Sequence, residues 1–323
     1  MSNPKVAVII NSFNRLELLK ECLTTLTAAI CGAGKANEFV AVVYDAGSAD
    51  GSDQWLKTDA QHLDIRVETL LPETGEDTSF AAGINKAAAY ATTRYPGIEY
   101  LFFYETDNQI LHFDALYRAI FQLLAREDLA ACGFTVRHHD GSPAGTGQPF
   151  PTLFNFLLGK NLVSRVDLEA IPYRWQTAPD GSRFSEADVV YTSPLLVRVE
   201  AWKASGGLDA ASFPFSDCDV DWARRLRNLG WKMGVIRTGH VIHDNRNALS
   251  AWSGLRALHS HRGRLRYFRR HRPLGIYLVW PVLLPLRHLF EWIASRLVRD
   301  PFRRERLSVQ FMQLLKTAHK GYQ

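Results

Sequence analysis

The chain has 323 residues, of which 46% are hydrophobic and 22% are charged, ordinary proportions for a globular protein. They exclude a wholly disordered chain, a collagen-like fibre and a small scaffold held together by disulfides. The net charge of +5 hides an asymmetry: residues 251–323 contain 15 Lys and Arg against three acidic residues (+12), which leaves 23 against 30 (−7) in residues 1–250. This charge distribution favours a protein with two roles, or with one role beside an anionic surface. A pair of solvated basic helices would give the same charge difference.

Short apolar runs alternate with helical patterns in the first hundred residues. The first helical pattern places Leu16, Leu19, Leu23 and Leu26 on one face, and Asn14 is predicted to cap this helix. The predicted strands lie at 5–10, 39–44, 65–70 and 98–104, and the other helices lie near 52–60 and 79–93. This alternation predicts an α/β fold with a mostly parallel sheet flanked by helices.

The chain changes character over residues 137–186, where Gly, Pro, Ser and aromatic residues cluster. This composition predicts a long, loop-rich insertion over a cleft. A strand over 189–199 and a helix over 217–229 resume the regular pattern, and the chain from 251 onward is predicted to be mainly helical. We therefore expect a main domain over 1–250 and a basic, amphipathic helical region over 251–323.

Polar side chains follow three of the predicted strands. Ser12 and Asn14 follow the first strand, Asp45 opens the polar run DAGSADGS after the second, and Glu105 and Asp107 follow the fourth. Ligands of open α/β sheets bind beyond the carboxyl ends of the strands. Carboxylates gathered there repel one another unless a cation or a donor-rich ligand lies between them. A Mg²⁺ or Mn²⁺ ion between these acids and a diphosphate would remove the repulsion, whereas a solvated turn is the simpler interpretation of any one cluster.

A second acidic group, Asp217, Asp219 and Asp221, lies where the helix over 217–229 is predicted to begin. Acidic residues are favourable in the first turn of a helix, so helix capping explains one of these three residues. A more specific interpretation of a second one is that it acts as a catalytic base. Three arginines on the same helix can pair with these acids or with phosphate: Arg224, Arg225 and Arg227. The chain lacks a Walker lysine loop, GxGxxG, HExxH and GxSxG, which argues against a dinucleotide enzyme, a zinc protease and an α/β-hydrolase.

Five segments resemble, in the same order, the motifs of glycosyltransferase family 2, the inverting enzymes of the GT-A fold. They are VAVIINSFNRLELLKECLTTL, VYDAGSADGS, SFAAGINKAAAYA, YLFFYETDN and SGGLDAASFPFSDCDVDWARRLRNLGW, and together they cover about residues 5–235. Each match is weak evidence by itself, but five matches in the family's order are specific. The rhamnosyltransferase-like members of the family are the most similar. The resemblance implies a GT-A catalytic domain over 1–250 with a C-terminal helical extension.

The resemblance also implies roles for individual residues. Asp219 takes the position of the catalytic base and Asp107 that of the metal-binding acid, with Glu105 as its partner acid and His243 as a further ligand of metal or diphosphate. Contacts with the nucleotide sugar or the acceptor are predicted for Ser12, Phe13, Asn14, Asp45, Cys218, Asp221, Trp222 and Arg225. The chain departs from the family where Cys218 replaces the usual Glu and where NRNALS replaces the Gly-rich run after the histidine, so a structural role for His243 stays open.

The implied function is an inverting, metal-dependent glycosyltransferase of the hexosyltransferase type. It would move one sugar from a nucleoside-diphosphate sugar to a hydroxyl of a glycan or a lipid-linked glycan, with Mn²⁺ or Mg²⁺ as cofactor, in polysaccharide biosynthesis for a bacterial cell surface. The QxxRW motif of processive synthases is absent, which favours the addition of a single sugar.

Two other functional classes stay open. A sugar nucleotidyltransferase would need a Gly-rich basic loop after the first strand, and Asn11-Ser12-Phe13-Asn14-Arg15 offers no Gly. A non-catalytic relative would keep only the fold and use its basic tail on a nucleic acid or a membrane. Nucleic acid is the less favoured partner, because the acids at the strand ends would repel its phosphates.

The basic region contains an apolar stripe formed by Leu286, Leu289, Phe290, Ile293 and Leu297, with arginines on both sides. This pattern is typical of a helix in the interface of an anionic membrane and predicts peripheral membrane contact through 264–306. A helix packed in the core, or a contact between copies in an oligomer, is the alternative. The uncharged run 274–286 has 13 residues including two prolines, which is too short for a spanning helix of about 20 residues.

The cysteines and the N-terminus bear on localisation. The four cysteines, at 22, 31, 132 and 218, form no CxxC pair and no zinc spacing, which favours a reducing compartment. The start MSNPKVAVII lacks a basic region and a cleavage site, so no signal peptide is predicted. We therefore predict a cytoplasmic protein and leave open its attachment to the inner face of the cell membrane.

Overall fold

A nine-stranded sheet forms the centre of the protein. The computed structural model describes residues 4–158, 171–244, 254–271 and 282–319. The strands are β1 (Val6–Ser12), β2 (Phe39–Asp45), β3 (Arg66–Leu70), β4 (Tyr100–Phe103), β5 (Asn108–Ile110), β6 (Leu129–Phe134), β7 (Gly147–Gln148), β8 (Gln176–Thr177), β9 (Arg183–Ala187), β10 (Val189–Val190), β11 (Leu195–Arg198), β12 (Lys232–Ile236) and β13 (Val241–His243). The helices are α1 (Leu16–Gly32), α2 (Ser52–Lys57), α3 (Phe80–Arg94), α4 (Asp114–Ala125), α5 (Leu153–Leu158), α6 (Val199–Ser205), α7 (Cys218–Asn228), α8 (Gly254–His271), α9 (Leu283–Ser295) and α10 (Pro301–His319).

The central sheet is mostly parallel in its first half and mixed in its second. Its order is β3-β2-β1-β4-β11-β6-β12-β9-β8. β1 pairs in parallel with β2 and β4, β2 pairs in parallel with β3, and β6 with β12. β11 is antiparallel to both of its neighbours, and β9 is antiparallel to β12. The predicted α/β fold with flanking helices is confirmed.

The strands are buried on both faces, as their near-continuous apolar sequences predict. Along β1, Ala7 and Ile9 face one core, whereas Val8 and Ile10 face the other. Residues of α3 fill the first core, and residues of α1 and α4 fill the second. This packing fixes the carboxyl ends of β1, β2 and β4, and the loops that follow these strands therefore start from a rigid base.

The first helix does not begin as predicted. Asn14 adopts a left-handed φ of 51°, and Arg15, at the N-cap position of α1, makes no side-chain capping bond. The N–H of Leu16 instead donates to Oδ2 of Asp50 at 2.8 Å. The predicted Asn14 cap is wrong, because a carboxylate from the loop after β2 satisfies the free N–H of this helix.

The predicted strand 189–199 is two strands, β10 and β11. Pro194 lies between them, where its lack of an N–H interrupts the hydrogen bonding of a strand. The insertion predicted over 137–186 contains β7 and α5, but its end forms β8 and most of β9, which are strands of the central sheet. Residues 159–170 of this insertion lie outside the described residues.

The predicted C-terminal helices are confirmed. α8 packs on α7 and contributes Leu265, Tyr267 and Phe268 to the first core, while α10 packs against α8 and α9. Most of the apolar run 274–286 lies outside the described residues, and the division into domains at residue 250 stays a prediction. Among the helices that the structure describes, none has the length and hydropathy that a bilayer crossing requires.

Candidate active site

The loops after β1 and β2 are joined at the carboxyl-end rim of the sheet. Ser12 and Asp45 are register partners at the ends of these two strands. Beyond them, the N–H of Asn14 donates to Oγ of Ser48, and Oδ1 of Asn14 accepts from the N–H of Ala49, both at 2.8 Å. The structure thus gives Asn14 a role in holding the two loops together, and its contact with substrate stays a prediction.

Asp45 is fully buried at this rim and uses only one of its carboxylate oxygens within the protein. Its Oδ1 accepts the N–H groups of Gly47 at 2.9 Å and Ser48 at 2.7 Å. Oδ2 of Asp45 is buried and has no hydrogen-bond partner among the described residues, and the same is true of Oγ of Ser12. Since a buried polar atom without a partner costs about 1–3 kcal/mol, the two oxygens suit a ligand with N–H or O–H donors. The exposed ring of Phe13 lies in the same loop.

Helix α3 approaches the rim closely because of one glycine. A Cβ on Gly83 would overlap Oδ1 of Asn11 and would lie 2.7 Å from Cδ1 of Tyr44. Two residues further along, Asn85 exchanges hydrogen bonds of 2.7 and 2.9 Å with the backbone of Leu208. The segment Gly-Ile-Asn therefore fixes α3 against the ends of β1 and β2 and holds the loop that leads to α7.

Asp107 follows β4, which lies on the other side of β1 from β2. Its buried carboxylate has Oδ2 3.3 Å from Nη1 of Arg15 and Oδ1 3.5 Å from Nδ1 of His243. Pairing of β13 with β5 sets His243 opposite Asn108, whose Oδ1 lies 3.0 Å from the same Nδ1. Oδ1 of Asp107 accepts no hydrogen bond from the described residues. Two residues far apart in sequence, Asp107 and His243, are thus neighbours at the rim.

The turn between β4 and β5 is held by a serine before β11. Oγ of Ser193 accepts the N–H of Glu105 at 3.2 Å and also accepts from Nδ2 of Asn108. The same Nδ2 is 3.0 Å from the carbonyl oxygen of Glu105. These bonds fix the backbone of the turn that carries Glu105 and Asp107.

Helix α7 begins near the end of β4. The ring of Trp222 contacts that of Phe103, with centroids 6.2 Å apart. Burial raises the pKa of the Cys218 thiol, the Asp219 charge raises it further, and the carboxylate of Glu105 adds to the effect. Glu105 and the first turn of α7 are therefore close. The Cys218 thiol itself is buried, and its predicted contact with substrate stays a prediction.

Asp219 carries the strongest indication of chemistry on this turn. Burial raises its pKa from 3.8 to about 6, and the charge of Asp217 acts in the same direction. The N–H of Val220, which donates to Oδ1 of Asp219 at 2.9 Å, and the charge of Arg264 oppose this rise. Arg264 binds both carboxylate oxygens of Asp217, at 2.7 and 3.1 Å. A carboxyl group with a pKa of about 6 is an effective proton acceptor near neutral pH.

Asp221, Trp222 and Arg225 lie on the same helix but are engaged inside the protein. Asp221 is fully buried and accepts hydrogen bonds from Arg225 at 2.8 Å and Arg270 at 3.0 Å, and it lies 2.9 Å from Nε2 of His271. Although burial alone would raise the pKa of Asp221, the hydrogen bonds from His271 and Arg225 lower it. Trp222 is fully buried as well. The structure gives the three a role in holding α7 in place, and their contact with substrate stays a prediction.

Residues 7–178, more than half of the chain, match the family model described as Glycosyl transferase family 2. The chain belongs to this glycosyltransferase family. No curated protein matches the glycosyltransferase at a significant level.

Solved structures show that the glycosyltransferase has the GT-A fold. One is the mannosyltransferase PcManGT from Pyrobaculum calidifontis in complex with GDP-Man and Mn²⁺, with 17% identity and a TM-score of 0.54 over 100% of this chain and 77% of that chain. Another is GalNAc-T7 with UDP, GalNAc and Mn²⁺, with 11% identity and a TM-score of 0.55 over 99% of this chain and 56% of that chain.

Oδ1 of Asp107 is a buried carboxylate oxygen without a hydrogen-bond partner among the described residues, and His243 lies beside it, so this oxygen suits a divalent cation. Within the described parts of the chain, no three His, Cys, Asp or Glu side chains are grouped as metal ligands. A Mg²⁺ site commonly combines one or two carboxylates with water and phosphate oxygens of the substrate. The residues present therefore fit an ion that is bound together with a diphosphate and do not form a closed protein cage.

Sequence reasoning did not identify Arg15, Ser193 and Arg264 as part of this region. Arg15 follows Asn14 directly, and the polar turn alone does not indicate that its guanidinium group lies beside Asp107. The sequence places Arg264 only in the basic tail, at the start of the segment 264–306 predicted to contact a membrane. No local signal marks Ser193, because its role depends on the pairing of β11 with β4.

Proposed function

We propose that the protein is an inverting glycosyltransferase that moves one sugar from a nucleoside-diphosphate sugar to a hydroxyl group of a glycan or a lipid-linked glycan. The observation that carries the proposal is the carboxylate of Asp219, with its pKa of about 6, in a helix turn whose Cys218 thiol is influenced by the charge of Glu105. Glu105 lies in the same turn as Asp107, and Asp107 and Asp45 each have a buried carboxylate oxygen without a partner among the described residues. A proton acceptor, a nucleotide contact and a cation ligand are the parts that a direct displacement at the anomeric carbon requires.

The loops after β1 and β2 would bind the nucleoside of the donor. The buried Oδ2 of Asp45 would accept a ring N–H of the base, and Oγ of Ser12 would complete its hydrogen bonding on the same ligand. The exposed ring of Phe13 offers an apolar surface to the base. The GDP and UDP groups in the structural neighbours both carry a ring N–H that matches such an acceptor.

Asp219 would act as the general base. The acceptor oxygen attacks the anomeric carbon and gives its proton to the Asp219 carboxylate as the new C–O bond forms. The bond between the anomeric carbon and the diphosphate oxygen breaks on the opposite face, and its electron pair leaves with the nucleoside diphosphate. One such displacement inverts the configuration of the anomeric carbon.

Asp107, with His243 and Glu105, would hold a Mn²⁺ or Mg²⁺ ion. When bound, the ion supplies Lewis-acid stabilisation of the charge on the departing diphosphate. Arg15, 3.3 Å from the other oxygen of Asp107, orients this carboxylate and brings a permanent positive charge to the same place.

A panel of nucleotide sugars tests the proposal, with release of nucleoside diphosphate as the rate measurement and calorimetry for donor binding. Loss of a general base lowers turnover by about a hundredfold to ten-thousandfold, so Asp219→Asn should show this loss and bind the donor as well as the native enzyme. Glu200→Gln, the same change of acid to amide at an exposed position, is the matched control and should leave turnover unchanged.

Three results would contradict the proposal. Full turnover by Asp219→Asn removes this residue from the mechanism. Retention of the anomeric configuration in the product, measured by NMR, excludes the single displacement. Release of pyrophosphate in place of a nucleoside diphosphate identifies a nucleotidyltransferase.

A further inference from the structure

Helix α9 has its apolar side turned outward and its polar side turned toward the protein. Seven apolar side chains on this helix and next to it are exposed: Val282, Leu283, Leu286, Leu289, Phe290, Ile293 and Leu297. Phe290 is 72% exposed and Leu297 83% exposed, whereas His288 and Ser295 are buried. This is the reverse of the pattern expected for a surface helix of a protein surrounded by water.

The polar side of α9 is held by specific contacts. Glu291 lies 3.1 Å from Nη2 of Arg287 and 2.9 Å from Nδ1 of His288. Arg287 also donates to the carbonyl oxygen of Phe156 in α5, and Leu284 packs in the core. These contacts fix the rotation of the helix about its axis. The sequence-based alternative of a stripe packed in the core is therefore wrong for α9.

A band of positive charge adjoins the apolar side. Residues 296–306 contain five arginines and two acidic residues, a net charge of +3, and Phe302 in their midst is 85% exposed. A cleft of about 360 Å³ between the end of α9 and the start of α10 is lined by Arg296, Arg304 and Ser308, together with Glu305, Pro301 and Val309. The two guanidinium groups and the hydroxyl group suit the phosphate group of a lipid.

We propose that α9 and the first turns of α10, residues 283–306, dock on an anionic lipid bilayer. The exposed apolar side chains enter the boundary between headgroups and acyl chains, and the arginines contact the lipid phosphates. A second copy of the chain fits less well, since it would bring a further net charge of +3 from its own residues 296–306 to this surface, whereas an anionic bilayer would offset the charge. Arg264 and Arg270 of α8 take no part, because they are paired with Asp217 and Asp221.

Vesicle sedimentation of the full chain tests the proposal without any sugar donor, so its outcome is independent of the proposed transfer reaction. The protein should sediment with vesicles of phosphatidylglycerol and phosphatidylcholine and stay in solution with phosphatidylcholine alone. Phe290→Ser combined with Leu297→Ser should reduce the partition coefficient at least about tenfold, since each change removes an inserted apolar side chain. Arg299→Glu combined with Arg303→Glu should reduce it similarly and remove its dependence on salt.

The matched control is Tyr117→Ser combined with Leu124→Ser, which removes two exposed apolar side chains from α4. This control should bind vesicles as the native protein does, and thermal unfolding should show that all variants are folded. Equal sedimentation with neutral vesicles, equal loss in the control pair, or native binding by the Phe290 and Leu297 variant would each overturn the proposal. Self-association through Phe290 without vesicle binding would overturn it in favour of a contact between copies.

Discussion

Replacement of Asp219 by Asn should stabilise the protein at neutral pH while it lowers turnover. The carboxylate of Asp219 is charged at pH 7 although burial and the neighbouring Asp217 disfavour the charge. An amide in its place carries no charge, so it avoids the free-energy cost of burying one. Its oxygen can still accept the hydrogen bond that the N–H of Val220 donates to Oδ1 of Asp219. A catalytic group that opposes folding is a common compromise in active sites.

The size of the effect follows from the pKa. A rise from 3.8 to about 6 corresponds to roughly 3 kcal/mol at pH values well above 6, at 1.36 kcal/mol for each unit. Because Asp219 is partly exposed, we expect a gain of about 1–3 kcal/mol in the free energy of unfolding. The folded protein binds the proton more tightly than the unfolded chain, so the gain should be full above pH 6 and should disappear below about pH 4.

Urea unfolding of the native protein and the variant at pH 7 and pH 4 measures this difference. Asp221→Asn, two residues further along α7, is the matched control, because hydrogen bonds from His271 and Arg225 and the charges of Arg225 and Arg270 lower the pKa of Asp221. Removal of its charge should destabilise the protein by about 3–5 kcal/mol at pH 7. A destabilised Asp219→Asn, or a gain in stability that is the same at both pH values, would refute the reasoning.

Three further predictions concern turnover and donor binding. Turnover should rise with pH through about 6 as Asp219 ionises. Arg264→Gln should move the midpoint of this rise to higher pH, because the Arg264 charge lowers the pKa of Asp219. If the pH dependence of turnover is the same in this variant, the rise belongs to another group. Gly83→Ala should lower the free energy of unfolding by roughly 1–3 kcal/mol and weaken donor binding, because the added Cβ would lie 2.7 Å from Cδ1 of Tyr44. Native values in urea unfolding and in calorimetry of donor binding would contradict this prediction. Asp107→Asn should remove the effect of Mn²⁺ on donor affinity in calorimetry, and full turnover in excess EDTA would exclude the metal role.

The strands and helices that line the site were predictable because they are decided by local sequence. The apolar runs of β1 and β2 and the leucine pattern of α1 depend on burial alone, and burial follows from hydrophobic periodicity. The polar clusters after β1, β2 and β4 were also visible, because the ends of parallel strands meet at one rim. Their proximity needed only the topology of the sheet.

The errors arose where distant segments compete with local preferences. Asn14 has the side chain of a good cap, but its hydrogen bonds go to the loop after β2, and Asp50 takes the free N–H of Leu16. In the same way, the spacing of Asp219 and Asp221 in the sequence does not reveal their different pKa values. The pKa of Asp219 is raised by burial, whereas that of Asp221, which pairs with Arg270, is lowered. Sequence spacing identifies the chemical groups, whereas tertiary contacts decide their protonation.

The basic helix α8 bears on how the chain divides into functional parts. Arg264 neutralises Asp217 and its charge opposes the rise in the pKa of Asp219, while Arg270 pairs with the buried Asp221. Without Arg264, the side chain that pairs with Asp217 and the charge that lowers the pKa of Asp219 would both be lost. The first helix after residue 250 therefore belongs to the electrostatics of the proposed base, and the outward-facing α9 and α10 are the part of the basic region left for a separate role.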